Sequence, residues 1–263
     1  MRVVCRSDAS HFLGVGHVMR LLTLASAIRD QGGEALFLTR SHPGHLAHVI
    51  QDYGFEVKVW DIEADGILGG NIADDAQKTR AEALVFQATH ILVDHYGTNA
   101  AWEVAQPCPV LVIEDLFNRK HDCAILLNQN LGVKPSDYIG LVPDHTTCLM
   151  GPDYALLRPE FSKLRSQALN QRKAGPVCKI LIAMGGTDQP NATGWVLGVL
   201  AKMDLNPNLH LTIVMGPTAP HLGCVQDQAA SLPFHTTVLV GTNQMGELMV
   251  QADFAIGAAG STS

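Results

Sequence analysis

The sequence predicts an α/β protein made of two parallel-sheet units, and three observations carry that expectation. Short apolar runs alternate with stretches of helical periodicity along most of the chain, the pattern of a parallel sheet covered on both faces. Polar or glycine-bearing loops follow the apolar runs, as strand-to-helix connections require. A polar, basic stretch from Ser162 to Gly175, with Pro176 after it, divides the alternation into two series. The 263 residues suffice for one large or two ordinary domains, and 47% hydrophobic with 16% charged residues describes a packed chain.

Taken in order, Val3 to Cys5 reads as a strand ending in the polar loop Ser7 to Gly16. From His17 to Asp30 the residues Val18, Leu21, Leu22, Leu24, Ala25 and Ile28 recur at helical spacing, and Gly32 and Gly33 supply the stop. The alternation continues as strand 35–38, helix 43–53, strand 55–60, helix 73–88, strand 90–93, helix 100–105 and strand 110–113. Residues 162–175 read as a linker or connecting helix, and the units are taken as 1–150 and 151–263. The second series runs strand 179–184, helix 192–203, strand 209–215, helix 219–230, strand 236–240, helix 244–250 and strand 254–256. The chain then ends at "GAAGSTS", where a helix completing the last βα unit is expected, so the second unit is read as truncated.

Composition excludes several classes of function. The 18 Lys and Arg against 25 Asp and Glu leave a formal charge of −7, and no basic run makes a nucleic-acid stripe. No apolar run reaches the roughly 18 residues of a membrane span, and "MRVVCRSD" regains charge too early for a signal peptide. We therefore expect a cytoplasmic protein with neither nucleic acid nor membrane as partner. The six cysteines form no C-x-x-C pair and read as free, mostly buried thiols.

Open parallel sheets bind ligands beyond the carboxyl ends of their strands, so the loops there carry the information. The first loop, Ser7 to His17, holds Gly14 and Gly16 but places them about seven residues past the strand and lacks the third glycine of a dinucleotide fingerprint. Its small residues let a ligand approach the backbone. His17 stands at the mouth of a helix, whose positive end disfavours imidazolium; it is either a general base or a residue that caps and fills space. The second loop, Asp94-His95-Tyr96-Gly97, meets either a sugar or phosphate ligand or only itself, as a structural cluster. Glu114 and Asp115, with Asn118 and Arg119, read as a solvated or Arg-paired turn rather than a metal site. His42, His45 and His48 are spaced by three and drift around a helix, so no metal is inferred. In the second half Gly185-Gly186-Thr187-Asp188 and Gly257 to Ser263 follow strands; such turns either offer N–H groups and a helix end to an anion or merely turn tightly. Asp8 and Asp94 are the two groups expected to orient His17.

The segments "RSDASHFLGVGHVMR", "LVDHYG", "EDLFNRKHDCAILLNQNLG", "LMGPDYALLRPEF", "MGGTDQPNAT" and "IGAAGSTS" together span nearly the whole chain. In them the sequence resembles the UDP-2,4-diacetamido-2,4,6-trideoxy-β-L-altropyranose hydrolases of bacterial pseudaminic acid biosynthesis, which are related in fold to GT-B glycosyltransferases. The resemblance implies two Rossmann-like domains facing a cleft, the first on the sugar side and the second binding UDP. It implies a catalytic His17, with Tyr96 and Asp94 beside it, and a sugar-side loop including Arg6, Asp8, Gly14 and Gly16. It places UDP at Gly185, Gly186, Thr187, Gly257, Ala259, Gly260 and Ser261, and it implies a further Trp-Glu pair and closing helices past Ser263. Neither metal nor cofactor is called for, because UDP is already a good leaving group. A UDP-sugar glycosyltransferase and a non-catalytic nucleotide-sugar binder are the competing readings.

Overall fold

In a computed structural model, which describes residues 1–172 and 175–258, the chain divides into two compact units, Met1–Leu156 and Leu157–Ser263. Unit 1 holds strands β1 (Arg2–Ser7), β2 (Glu34–Arg40), β3 (Glu56–Trp60), β4 (His90–Asp94), β5 (Val110–Ile113), β6 (Ile125–Asn128) and β7 (Thr147–Met150). They form one sheet in the order β3-β2-β1-β4-β5-β6-β7, with every pairing parallel. Helices α1 (Gly16–Asp30), α2 (Ala47–Asp52), α3 (Ile72–Val85) and α4 (Ala100–Val104) make the crossovers as far as β5.

Side chains alternate between the two faces with the period of a strand. Val3 and Cys5 of β1, Phe37 of β2 and Leu92 of β4 pack with Val18, Leu21, Leu22 and Ala25 of α1. Val4, Leu36, Leu38, Ile91 and Val93 point the other way, into a core with Ala76, Ala83 and Trp102. Asn71 and Asn99 start α3 and α4 by accepting from the amides of Ala73 (2.8 Å) and Ala101 (3.0 Å).

The winding reverses between β1 and β4, so their carboxyl ends form the crevice where open α/β sheets receive ligands. The register sets Ser7 opposite Asp94 at that edge. The sequence reading missed β6 and β7. They are joined by loops and a short 3-10 turn at Pro135–Tyr138 rather than by helices, so no helix announces them. Helix α2 begins at Ala47, four residues later than expected, which leaves His42 and His45 in the preceding loop.

Unit 2 contains α5 (Pro159–Gln171), β8 (Lys179–Ala183), α6 (Ala192–Leu200), β9 (His210–Met215), α7 (Leu222–Ala230), β10 (His235–Val240), α8 (Met245–Gln251) and β11 (Phe254–Gly257). Most of the polar 162–175 stretch is therefore helical. The parallel sheet runs β10-β9-β8-β11 over a core of Ile180, Ile182, Leu197, Leu211 and Ile213. Gly216, just past β9, admits no side chain, because a Cβ there would stand 2.1 Å from the Gly186 carbonyl oxygen. No helix among the described residues is long and apolar enough to cross a membrane.

Candidate active site

His17 is the second residue of α1, whose N-terminus carries no side-chain cap, and its ring is 5% exposed at the crevice between β1 and β4. Its Nδ1 lies 2.5 Å from Oδ1 of Asp94, the last residue of β4. Arg20, one helical turn after His17, donates Nε to Asp94 Oδ2 (2.7 Å) and Nη2 to Oδ1 (2.9 Å). The same guanidinium donates Nη1 to both oxygens of Asp115 (2.9 and 2.8 Å). Burial alone raises the Asp94 carboxyl, but the charges and hydrogen bonds of His17 and Arg20 outweigh it and hold the group below the usual carboxylate range.

An ionised carboxylate only accepts, so Nδ1 must be the N–H of the ring. In the neutral ring the lone pair then sits on Nε2, which has no protein partner among the described residues. A carboxylate-oriented imidazole with a free Nε2 is the arrangement of a general base. Tyr96 packs its ring edge-on to His17, with centroids 4.5 Å apart at 90°, and donates its hydroxyl to Asp115 Oδ2 (3.3 Å). Burial, then the Asp115 charge, push its phenol up to about 12, so it remains a donor.

His95 is excluded from the same role. Its Nδ1 accepts the Gly97 amide (2.8 Å), which leaves Nε2 to donate to Asp8 Oδ2 (3.0 Å). Asp8 accordingly orients His95 and not His17; of the two expected orienting acids only Asp94 reaches His17. Arg6 and Asp8 are fully enclosed: Arg6 Nη1 and Nη2 bond Asp8 (2.8 and 3.0 Å), while its Nε and Nη2 bond Asp75 (3.1 and 2.8 Å). Asp8 also accepts the Arg40 amide (2.7 Å), and Asp75 accepts Trp102 Nε1 (3.0 Å). Both residues therefore hold up the floor of the site and do not face its surface.

Ser10 Oγ accepts the Phe12 and Leu13 amides (3.2 and 2.9 Å), and Gly14 closes that turn at φ +75°, in the left-handed region that favours glycine. Gly14 and Gly16 are half-buried beside the start of α1. Glu114 and Asp115 are Arg-paired, with Arg119 and Arg20 respectively, but Glu114 is buried and not solvated. His42 is buried with Nε2 3.9 Å from Asp8 Oδ2, and no three His, Cys, Asp or Glu among the described residues are grouped to hold a metal. Cys5 and Cys123 are buried thiols, Cys224 is exposed and the other three are half-buried, so fewer are enclosed than expected.

In unit 2, Gly185 (φ +90°) and Gly186 are exposed after β8, with Thr187 half-buried. The end of α6 is not open to an outside anion. Asp188 fills it, accepting the Ala192 and Thr193 amides (2.8 and 2.9 Å), while Asn191 accepts from Gly194 (3.2 Å). What remains of the expected anion site is the loop 185–187. Gly257 ends β11 and is exposed, whereas Ala259, Gly260 and Ser261 lie outside the described residues.

The structure brings the sequence-predicted His17, Tyr96 and Asp94 together, and adds Arg20 and its pairing with Asp115, which the sequence does not single out. The available signal was the spacing of three between His17 and Arg20 on one helix face.

No family model matches the chain. It is 29% identical over 221 residues to the UDP-2,4-diacetamido-2,4,6-trideoxy-β-L-altropyranose hydrolase of Campylobacter jejuni, covering 80% of this chain and 72% of that protein. Among solved structures, MurG of Acinetobacter baumannii matches 99% of this chain and 74% of its own at a TM-score of 0.63 and 16% identity. The UDP-GlcNAc 2-epimerase of Neisseria meningitidis, solved bound to UDP-GlcNAc, matches 99% and 78% at 0.57 and 11%. The chain is thus a parallel α/β protein of the GT-B fold, similar over most of its length to a nucleotide-sugar hydrolase.

Proposed function

We propose that this chain is a hydrolase that releases UDP from UDP-2,4-diacetamido-2,4,6-trideoxy-β-L-altropyranose, in the cytoplasm, as a step of pseudaminic acid biosynthesis. The observation that supports catalysis at unit 1 is the imidazole of His17, oriented by Asp94 with Nε2 free, at the strand edge where the winding reverses. The similarity to the Campylobacter hydrolase supports the substrate. His17 Nε2 takes a proton from water as the water oxygen bonds C1. The C1–O bond breaks with its electron pair passing to the β-phosphate of UDP, and the sugar leaves with inverted configuration at C1. Tyr96 borders the sugar, Arg6 and Asp8 hold the loop from below, and the loops at Gly185–Thr187 and 257–261 take the UDP portion. A single base suffices because UDP leaves readily, in contrast to the two carboxylates of ordinary glycosidases.

Transfer of the sugar to an alcohol is the second reading, supported by the shared fold alone. Turnover in oxygen-18 water without any added alcohol decides between them: hydrolysis puts label on the sugar and releases UDP. Label on phosphate refutes attack at C1, and no release until an alcohol is supplied refutes the hydrolase.

A further inference from the structure

We propose that Arg119 is a positioning residue for the His17 imidazole, acting by locking together the two loops that carry Asp94 with Tyr96 and Asp115. The inference rests on the hydrolase reading for its kinetic consequence but not for its geometry. The loop after β4 and the loop after β5 meet at the site through Arg20, which spans Asp94 and Asp115, and through the Tyr96 hydroxyl on Asp115. Away from His17 they meet again at Arg119. Its Nε donates to the Thr98 carbonyl (2.8 Å), and its Nη2 reaches the His95 carbonyl (3.3 Å) and Glu114 Oε2 (2.6 Å). One planar cation thus joins two carbonyls of the first loop to the carboxylate beside Asp115 in the second, with only 15% of its side chain exposed.

Glu114 is itself anchored. Its Oε1 accepts the Leu116 amide (2.5 Å), and Oε2 accepts from His121 Nε2 (2.8 Å), whose Nδ1 donates to Glu103 Oε1 (2.6 Å). An imidazole flanked by two ionised carboxylates must donate from both nitrogens, so His121 is a cation there. Arg119 and His121 together balance the two buried acids, and Glu103 belongs to α4, directly after the first loop. Without Arg119 that anchored acid no longer grips the carbonyls of the loop that carries Tyr96, and Arg20 with the Tyr96 hydroxyl must keep the two carboxylates in line at the site.

The test compares Arg119→Gln and Arg119→Lys with the unaltered protein in three readouts: kcat, KM for the UDP-sugar, and the downfield proton resonance of His17 Nδ1–H, assigned by its loss in His17→Gln. We expect kcat to fall roughly 10- to 100-fold, with KM within about twofold and the His17 line shifted or broadened. Lysine keeps the charge opposite Glu114 but cannot bridge both carbonyls, so Arg119→Lys recovers melting temperature and not kcat. Should glutamine prevent folding, the lysine variant alone carries the test. A variant with lowered melting temperature but an unchanged His17 line and unchanged kcat overturns the proposal. If the unaltered protein releases no UDP, the hydrolase reading fails, while the His17 line still judges the role of Arg119.

Discussion

Replacing Asp94 by asparagine changes one charge and almost no volume, and the local hydrogen bonds dictate the consequence. Oδ1 accepts from His17 Nδ1 at 2.5 Å and Arg20 Nη2 at 2.9 Å, and Oδ2 accepts from Arg20 Nε at 2.7 Å. An amide has one oxygen and one donor. With its nitrogen at the Oδ2 position, two N–H groups point at each other across 2.7 Å. With its nitrogen at the Oδ1 position, it donates to Nδ1 and moves the ring proton to Nε2, where a base must be empty. Either arrangement sets an amide N–H against an N–H of Arg20, and the second also inactivates the imidazole. Losing an oriented base costs roughly 10²- to 10⁴-fold in turnover, or about 2.7 to 5.5 kcal/mol of barrier. Stability should fall by less than the roughly 3 to 5 kcal/mol of a broken buried pair, because Asp115 still holds Arg20. The assay is acceptor-free UDP release with purified Asp94→Asn protein, alongside calorimetric binding of the UDP-sugar. Turnover within about threefold of the unaltered protein, with the sugar still bound, would refute the assignment of His17 and Asp94.

His17→Gln should lose roughly 10² to 10⁴ in kcat with the affinity for the UDP-sugar nearly intact, measured by single-turnover kinetics and calorimetry. His121, although burial alone would lower it, is raised by its hydrogen bonds to Glu103 and Glu114. Its contribution to stability is therefore full below the unfolded value of about 6.5 and is lost as pH rises through the higher folded value. Chemical denaturation of the unaltered protein and of His121→Gln across that range should show the difference in stability shrinking on the alkaline side; a difference that grows there contradicts the imidazolium. Asp188→Ala removes one of the two side chains that cap α6, leaving Asn191, and should destabilise the protein by about 0.5 to 2 kcal/mol, read as an earlier unfolding transition that phosphate does not restore.

What the sequence made legible is what local pattern encodes. The short apolar runs of β1 and β4, each followed by a polar or glycine-bearing loop, and the helical spacing from Val18 to Ile28, give the β1–α1 and β4 elements directly. Those elements bring His17, Asp94 and Tyr96 to one edge. Illegible were the partners that only pairing order reveals. Asp8 and Asp94 both follow apolar runs and read as equivalent neighbours of His17, yet the side chains on one sheet edge diverge: Asp8 meets Arg6 and His95, and Asp94 meets His17 and Arg20. The Gly-Gly-Thr-Asp turn before α6 leaves an anion cradle and a tight turn both open, because sequence does not show that Asp188, at φ +38°, folds its own carboxylate onto the helix end. β6 and β7 escaped notice because alternation with helices marks the earlier strands, and the connections of these two contain no α-helix.

The charges beneath the site explain why so much of it is buried. Arg6 and Arg40 face Asp8 and Asp75 in a layer with no exposure, and each formal charge there has its opposite. Such a layer is costly to desolvate and strongly destabilising if one partner is removed, so it contributes rigidity more than stability. The layer above is not balanced: among the described residues one guanidinium, that of Arg20, pairs with both Asp94 and Asp115. The three groups together carry one net negative charge beside His17, so on the proposed mechanism a proton taken up at Nε2 arrives where a negative charge is already fixed and need not be recruited from solvent. Preorganisation of this kind lowers a barrier without reorganising the protein at the moment of reaction. It also accounts for a histidine, an arginine one turn later and an aspartate closing the neighbouring strand acting as one unit: the helix sets the spacing of the first two, and the β1–β4 register delivers the third.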